Sequence, residues 1–415
     1  MPHSTRERLV VRTSEYKSTV LPRWALSDRD LETIATISDG LVSCSPTSGG
    51  WALRTGPVCG VIELDGCVVS VQPRLMPTGA TVVSWISYAL SAPAELSRIR
   101  QWMVGDEGLR EVVVAAVVRE CQKLLRDGLR RDYRREQTVD AVLRGRLDIG
   151  RQLTRRFGQV DRLHLQRFDR DVDVWENLVL RVALDVATKA AAGAELRRAA
   201  ADAARGFPDC SWAPSLAGRR LSLARYHRMN LRYRPSHVWA GLLLGDGGVS
   251  DLLCLGPAHA GSLLVNMSRL WELVVRRLSW EASVGEWKEN ETWGVIRVIE
   301  DGHRPRTFRP DAFLKIAAKG GGVRVLPVDA KYKDYRSEPV DRNDAHQLLT
   351  YASAYASPGD RSTAVLVHPT TGPNSRRTLQ ARAAVGHVST IDIVGVCTGN
   401  APAEAARHLQ MSIHL

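Results

Sequence analysis

Arg309-Pro-Asp-Ala-Phe-Leu-Lys-Ile-Ala-Ala-Lys-Gly-Gly-Gly-Val-Arg-Val-Leu-Pro-Val-Asp-Ala-Lys331 is the stretch that decides how the last third of this 415-residue chain folds. Two apolar runs, Phe313 to Ala317 and Val323 to Val328, flank Lys319-Gly-Gly-Gly322, a pattern that predicts two strands joined by a tight turn. Asp311 and Asp329 are 18 residues apart, and their midpoint, position 320, falls inside the turn. A hairpin therefore brings them close. A three-residue loop at 319–321 sets them directly opposite on one sheet face, whereas a two- or four-residue loop sets them on opposite faces unless a bulge intervenes. Asp329 and Lys331 alternate with Ala330, so on a strand both side chains point the same way.

Two carboxylates on one face suit a hard divalent cation. Mg²⁺ takes one or two carboxylates and keeps waters that a phosphate displaces; Mn²⁺ suits the same donors. Such an ion polarises a phosphoryl oxygen and lowers the pKa of a bound water. A lysine alongside orients or deprotonates that water and offsets charge in the transition state.

Working outward, Leu270, Trp271, Val274, Val275 and Leu278 recur at helical spacing behind a cap at Asn266 or Ser268. Glu272 lies beside that stripe, as a third metal-ligand candidate or as a salt-bridge partner of Arg269 or Arg276. Downstream, a helix over Asp344 to Tyr355 places Gln347 and Tyr351 on one face, where an amide and a phenol can hold water or phosphate. Asp344 reads as a solvent-exposed acid or one near that helix N-terminus, and Tyr351 has the alternative reading of a core tyrosine. A further strand covers Ala364 to Pro369. The catalytic candidates are thus Asp311, Asp329, Lys331, Gln347 and Tyr351, and the metal ligands Asp311, Asp329 and Glu272. Arg309 and Lys333 flank the acids as DNA contacts. A D-x-K triplet alone is common; the order of helix acid, Pro-Asp, D-x-K and Q-x₃-Y is what gives it weight. The glycine turn lacks the G-K-[S/T] ending of a P-loop, and no Walker A pattern occurs elsewhere.

The rest of the chain gives an α+β multidomain expectation. Residues 1–115 read as β-rich, with a hairpin from Gly60 to Pro73 turning at Asp65-Gly66. Residues 116–250 read as mainly helical and basic, with helices over Leu109 to Leu129, Trp175 to Ala204 and Leu216 to Tyr233. Gly241 to Gly261 is glycine-rich and reads as a linker, 262–400 as the nuclease domain, and 401–415 as a tail. The net charge of +12 rests on 49 arginines against eight lysines, which favours a polyanionic partner, although a GC-rich genome also raises the ratio. Arginines interleave with Tyr226 and Tyr233 between 219 and 234; Arg228 and Arg232 are the DNA-contact candidates there. Seven cysteines include no C-x₂-C pair, which argues against a zinc ribbon or a disulfide framework. No signal peptide or membrane span is read, and the expected location is the cytoplasm.

The residues resemble the McrC family, the nuclease subunit of the McrBC modification-dependent restriction system, with a nuclease domain of the PD-(D/E)XK type. The resemblance is carried by Asn266-Met-Ser-Arg-Leu-Trp-Glu272, Arg309-Pro-Asp311, Asp329-Ala-Lys-Tyr-Lys333 and Asp344-Ala-His-Gln347-x₃-Tyr351. Upstream, Gly128-Leu-Arg-Arg-Asp-Tyr133, Leu143-Arg-Gly-Arg-Leu-Asp148, Trp175-Glu-Asn177 and Val69-Ser-Val-Gln-Pro-Arg74 are similar to further blocks of the family. Trp271 stands for its usual Phe and Arg74 for its usual Lys. The resemblance implies a McrB-like AAA+ GTPase partner, docking of that motor by the N-terminal region, and cleavage of double-stranded DNA by the C-terminal domain. Two rivals are an autonomous nuclease resembling the RecB family and a non-catalytic regulator of a partner NTPase.

Overall fold

The computed structural model describes residues 9–36, 41–90, 109–191, 193–244, 263–285, 287, 294–299, 301, 304–318, 321–356, 361–383 and 386–413. They form two compact units, one of residues 1–113 with 250–415 and the other of 114–249.

The first unit begins with β1 (Leu9–Ser14), β2 (Ser18–Leu21), α1 (Asp28–Thr36), β3 (Val42–Thr47), β4 (Gly50–Thr55), β5 (Val58–Glu63), β6 (Cys67–Gln72) and α2 (Gly79–Ala89). β2, β4 and β3 make an antiparallel sheet, and β5 and β6 pair in a second one beside β1. Glu63 faces Val68, and the Leu64 N–H donates to the Cys67 carbonyl, so the turn falls at Asp65-Gly66. Along β6 the alternation is clean: Cys67, Val69 and Val71 are buried, joining Leu21, Ile34, Leu53 and Ile62 in one core.

The second unit departs from the mainly helical expectation. α3 (Leu109–Arg126) leads into a three-stranded antiparallel sheet of β7 (Asp132–Asp140), β8 (Arg146–Leu147) and β9 (Leu163–Asp171), with α4 (Ile149–Arg155) between β8 and β9. Asp-Tyr-Arg-Arg-Glu-Gln-Thr-Val-Asp carries no apolar alternation because this ribbon buries almost nothing. Leu165 is its buried hydrophobic residue, while Tyr133, Val139 and Phe168 are exposed. Beyond it, α5 (Trp175–Ala190), α6 (Ala194–Arg205), α7 (Pro214–Ser222) and α8 (Arg234–Leu244) pack together. The single helix expected from Trp175 to Ala204 is broken after Ala190, and the one expected from Leu216 to Tyr233 ends at Ser222. The expected linker lies outside the described residues beyond Leu244.

The remainder of the first unit starts with β10 (Leu263–Asn266), which pairs antiparallel with β5 and so belongs to the N-terminal sheet. Gly60 makes this possible: its φ is +138°, and a Cβ there would lie 1.9 Å from the Leu263 carbonyl oxygen. Residues 1–113 and 250–415 therefore form one unit, not the separate domains drawn at 115 and 262. α9 (Met267–Ala282) follows, capped by Asn266, whose side chain accepts from the Arg269 N–H. Next come β11 (Ile296–Val298) and β12 (Arg306–Phe308), paired only with each other. β13 (Ala312–Ala317), β14 (Val323–Ala330), α10 (Arg342–Ala354), β15 (Ser362–Thr370), β16 (Ser375–Ala383), β17 (Gly386–Cys397) and α11 (Pro402–Ile413) complete the chain.

The main sheet has the order β13-β14-β15-β17-β16, with β14, β15 and β17 parallel and the outer strands antiparallel. α10 covers one face through Leu348 and Ala352 against Ala364, Leu366, Ile391 and Ile393. α9 packs on β13 and β14 and against α2 and α11. Trp271 donates its indole N–H to the Val367 carbonyl at 3.0 Å, a bond that the phenylalanine usual in the family cannot make. Residues 401–415 do not trail: Ala405, Leu409 and Ile413 are buried along α11. Two of its buried positions are alanines, which weakens the apolar stripe that marks a helix in sequence.

Candidate active site

The hairpin register decides the geometry. Ala312 faces Val328 and Ala317 faces Val323, so position 311 faces position 329, the case that a three-residue connection requires. The connection includes Lys319 and Gly320, which are outside the described residues. Asp311 turns one carboxylate oxygen, Oδ2, onto the backbone N–H of Ala330 at 2.8 Å. Asp329 sits on β14 beneath it, its side chain only 2% exposed, with Lys331 Nζ 2.9 Å from its Oδ2. That oxygen is buried and has no aligned hydrogen-bond donor, so the contact with the ammonium is an ion pair held off the ideal direction.

Lys331 is held in turn by α10. Its Nζ donates to Gln347 Oε1 at 2.9 Å, Gln347 Nε2 donates to the Tyr351 hydroxyl at 3.0 Å, and that hydroxyl donates to the Arg309 carbonyl at 2.9 Å. The chain of bonds runs from Lys331, one residue past β14, through two side chains one helical turn apart and back to the segment that carries Asp311. Arg309 itself is exposed. Lys333 Nζ lies 3.0 Å from Asp344 Oδ2.

Asp344 is more than an exposed acid near a helix end. It is buried, stands 3.5 Å from Lys331 Nζ, and accepts hydrogen bonds from Lys333 and the Tyr335 hydroxyl. Its place three residues before Gln347, on the same helix face, was the signal available in sequence. Glu272 does not complete the set. It pairs with Arg269 at 2.5 Å, the alternative left open for it, and among the described residues no three acidic, histidine or cysteine side chains gather as a metal-ligating group. Arg228 and Arg232 belong to the other unit. Arg228 is exposed there, while Arg232 donates to the Gly128 carbonyl at 2.6 Å, at the end of α3, where a cation suits the helix dipole.

Burial pushes the Asp329 carboxyl up to about 6; Lys331 opposes this and the charges of Asp311 and Asp344 add to it. Burial alone would lower the Lys331 ammonium, but Asp329, Asp344 and Asp311 outweigh it and hold it above the usual lysine range. For Asp344, burial is outweighed by the hydrogen bonds from Tyr335 and Lys333 and by the lysine charges, which hold it below the usual carboxylate range. The donor set fits a divalent cation. Two carboxylates face each other across one hairpin, and one buried carboxylate oxygen lacks an aligned donor.

The N-terminal part of the unit reaches the same strand. Tyr332, between Lys331 and Lys333, donates to Glu15 at 3.1 Å, and Glu15 Oε2 also accepts the Arg74 N–H at 2.8 Å. Burial raises the Glu15 carboxyl to about 7. The 317 residues separating this pair left no spacing signal in the sequence.

Fold and site together define an α/β protein with an acid–acid–lysine cluster at a sheet hairpin, steadied by a glutamine and a tyrosine from the next helix. Residues 53–369 match the family described as McrBC 5-methylcytosine restriction system component, and the chain belongs to that family. The McrC resemblance read from the sequence is thereby borne out. A chain from an assembly of Thermococcus gammatolerans McrB AAA+ hexamers with bound McrC has a similar fold. It is 15% identical, with a TM-score of 0.63 over 97% of this chain and 100% of that one. A chain of the Thermococcus gammatolerans McrBC complex is 14% identical, with a TM-score of 0.48 over 68% of this chain and 89% of that one. No curated protein matches the sequence. No helix among the described residues is long and apolar enough to cross a membrane.

Proposed function

We propose that this chain is the DNA-cleaving subunit of a McrBC-like modification-dependent restriction system. It hydrolyses phosphodiesters of double-stranded DNA through a PD-(D/E)XK-type site when paired with a McrB-like AAA+ GTPase. The observation that carries the reading is the bonded series Asp329, Lys331, Gln347 and Tyr351 closing on the segment of Asp311, in a chain of a restriction-system family.

Asp311 and Asp329 would hold Mg²⁺, or Mn²⁺ in its place, which supplies charge neutralisation at the phosphate and an acidified water. Lys331 keeps its proton at neutral pH because three carboxylates surround it, so it acts as a charged donor to the reacting phosphate rather than as a base. Gln347 fixes the ammonium in place, and Tyr351 fixes Gln347 by taking its amide N–H and donating to backbone. Arg309 and Lys333 present charge to the DNA on either side.

The test is plasmid cleavage by the purified chain with Mg²⁺, with and without its AAA+ partner and GTP, beside Asp329→Asn and Lys331→Ala. The expected result is partner-dependent cutting that falls by about 10²–10³-fold or more in either variant, with a melting temperature at or above the wild-type value in Asp329→Asn and a native circular-dichroism spectrum in Lys331→Ala, which leaves Asp329 without its ammonium. Cutting by the chain alone would replace this reading with an autonomous nuclease. Stimulated GTP hydrolysis without any cutting would replace it with a regulator.

A further inference from the structure

A small ribbon projects from the catalytic hairpin without a core of its own. β11 and β12 pair over three residues each, with Ile296 opposite Phe308, Arg297 opposite Thr307 and Val298 opposite Arg306. All six except the half-buried Ile296 are exposed, as are Arg304 and Arg309. An isolated two-stranded hairpin is marginal in water, and burial within the chain does not explain this one.

What holds it is its footing. The Tyr355 hydroxyl donates to the Gly294 carbonyl at 2.6 Å, at the start of the ribbon, and the Tyr351 hydroxyl donates to the Arg309 carbonyl at 2.9 Å, at its end. The two tyrosines are one turn apart on α10, the helix whose Gln347 holds Lys331. Phe313, just after Asp311, packs edge-on against Tyr355 with ring centroids 5.1 Å apart. Both feet are thus fixed to the helix that orders the site, and β12 runs through Arg309-Pro310 directly into Asp311.

The ribbon's chemistry is arginine beside exposed apolar groups. Between Gly294 and Arg309 the sequence carries Arg297, Arg304, Arg306 and Arg309 against Glu300 and Asp301, a net charge of +2. Directly opposed residues share a face, so Arg306 lies with Val298 and Phe308, and Arg297 on the other side with Thr307. From Arg306 to Asp311 is about 17 Å of extended chain, or about five base-pair steps of duplex.

We propose that the β11–β12 ribbon is a DNA grip. Arg306 and Arg297, on opposite faces of the ribbon, bind backbone phosphates of the two strands that flank it, within about five base pairs of the bond cut at Asp311 and Asp329, and Phe308 rests against a sugar beside the Arg306 contact. Arginine suits this task because its planar fork takes two phosphate oxygens at once. The choice of DNA as occupant rests on the nuclease reading. Continuity of β12 with Asp311 sets the ribbon beside the path of that site's substrate.

The experiment measures binding of a short fluorescein-labelled duplex to the full chain by anisotropy, without divalent cation, between about 50 and 200 mM salt. Wild type, Arg297→Ala/Arg306→Ala, Phe308→Ala and Asp329→Asn are compared. The arginine pair is expected to weaken binding on the order of tenfold and to make the salt slope shallower by about 2, because two phosphate contacts are lost. Phe308→Ala is expected to weaken binding with an unchanged slope, and Asp329→Asn to bind at least as well as wild type. All substituted positions on the ribbon are exposed, so melting temperatures should stay at the wild-type value. Wild-type affinity and slope in the arginine pair would overturn the proposal. Intact DNA binding with loss of the AAA+ partner in gel filtration would overturn it in favour of a protein-docking ribbon. If wild type binds but never cuts while the arginine pair loses binding, the grip stands and the nuclease reading falls.

Discussion

Glu176 in one unit and Asp329 in the other are both buried acids in ion pairs, and their surroundings differ. Glu176, at the start of α5, is buried with both oxygens engaged. Arg130 donates to Oε1 and Oε2 at 3.0 and 2.9 Å, and Asn230 donates to Oε1 at 3.0 Å. Around it, Tyr233 donates to Asn177 at 2.7 Å, and Asn177 donates to the Arg130 and Val172 carbonyls. Asp329 is as deeply buried but has an oxygen without an aligned donor and a carboxyl lifted to about 6. A carboxylate engaged at both oxygens is held in one conformation, even though Arg130 Nε in the same network has no partner. Under the proposed function, the Asp329 oxygen that has only the misaligned Lys331 ammonium beside it is the one a divalent cation would take.

The comparison breaks most directly by removing the two acids in turn. Glu176→Ala removes the buried partner of Arg130, leaving it only the exposed Asp132, and should lower the stability of the second unit by about 3 kcal/mol. Asp329→Asn removes a charge that burial already disfavours and leaves Lys331 its second partner, Asp344, 3.5 Å away. It should leave stability unchanged or raise it. Urea denaturation of both variants, followed by hydrogen exchange within 114–249 and within the remainder, separates the two effects. Equal losses would mean that Asp329 is a structural acid like Glu176.

Glu15 stands between these cases, with three of its neighbours donating to it yet with a pKa near 7. An acid whose folded pKa lies above its unfolded value favours folding below the unfolded value, and that contribution is lost as pH rises through the folded one. For Glu15 the window runs from about 4.5 to about 7, and the shift corresponds to about 3 kcal/mol. Glu15→Gln should therefore flatten the fall in stability of the first unit between pH 5 and 8 and stabilise it at the upper end by about that amount. Denaturation at the two pH values checks this; parallel curves for wild type and variant would show that Glu15 stays ionised throughout.

How far the sequence was legible follows the same division. The hairpin of β13 and β14 was legible from two apolar runs about a glycine turn, but its register was left open among two-, three- and four-residue loops, because Leu326 to Asp329 are buried on both faces and carry no alternation to fix it. The three-residue connection sets position 311 opposite Asp329. Gln347 and Tyr351 were legible from helical spacing alone. β7 and β9 were not, because a ribbon that buries little leaves no alternation to find. Asp344 was visible but misjudged, since the partners that bury it, Lys333 and Tyr335, lie on a loop whose course local spacing does not fix. β10 and Glu15 were beyond reach for a different reason. Leu263 to Asn266 read as the start of a new domain, and only the long-range closeness permitted by Gly60 shows that they finish an old sheet.

The finest test uses one chemical change in both units. The Tyr233 hydroxyl, fully buried, accepts from the Arg130 N–H at 2.6 Å and donates to Asn177 at 2.7 Å. Tyr233→Phe leaves two buried partners without it and should cost about 2 kcal/mol. The Tyr355 hydroxyl donates to the Gly294 carbonyl in an exposed setting where water can replace that bond. Tyr355→Phe keeps the ring against Phe313 and should change stability by about 1 kcal/mol or less. Its effect on duplex binding should likewise stay within about fivefold, below the loss in the Arg297→Ala/Arg306→Ala pair. Thermal melts compare the two tyrosines, and the anisotropy titration ranks Tyr355 against the arginines. If Tyr355→Phe weakens DNA binding as much as removing both arginines, the ribbon acts through how rigidly it is held rather than through its charge.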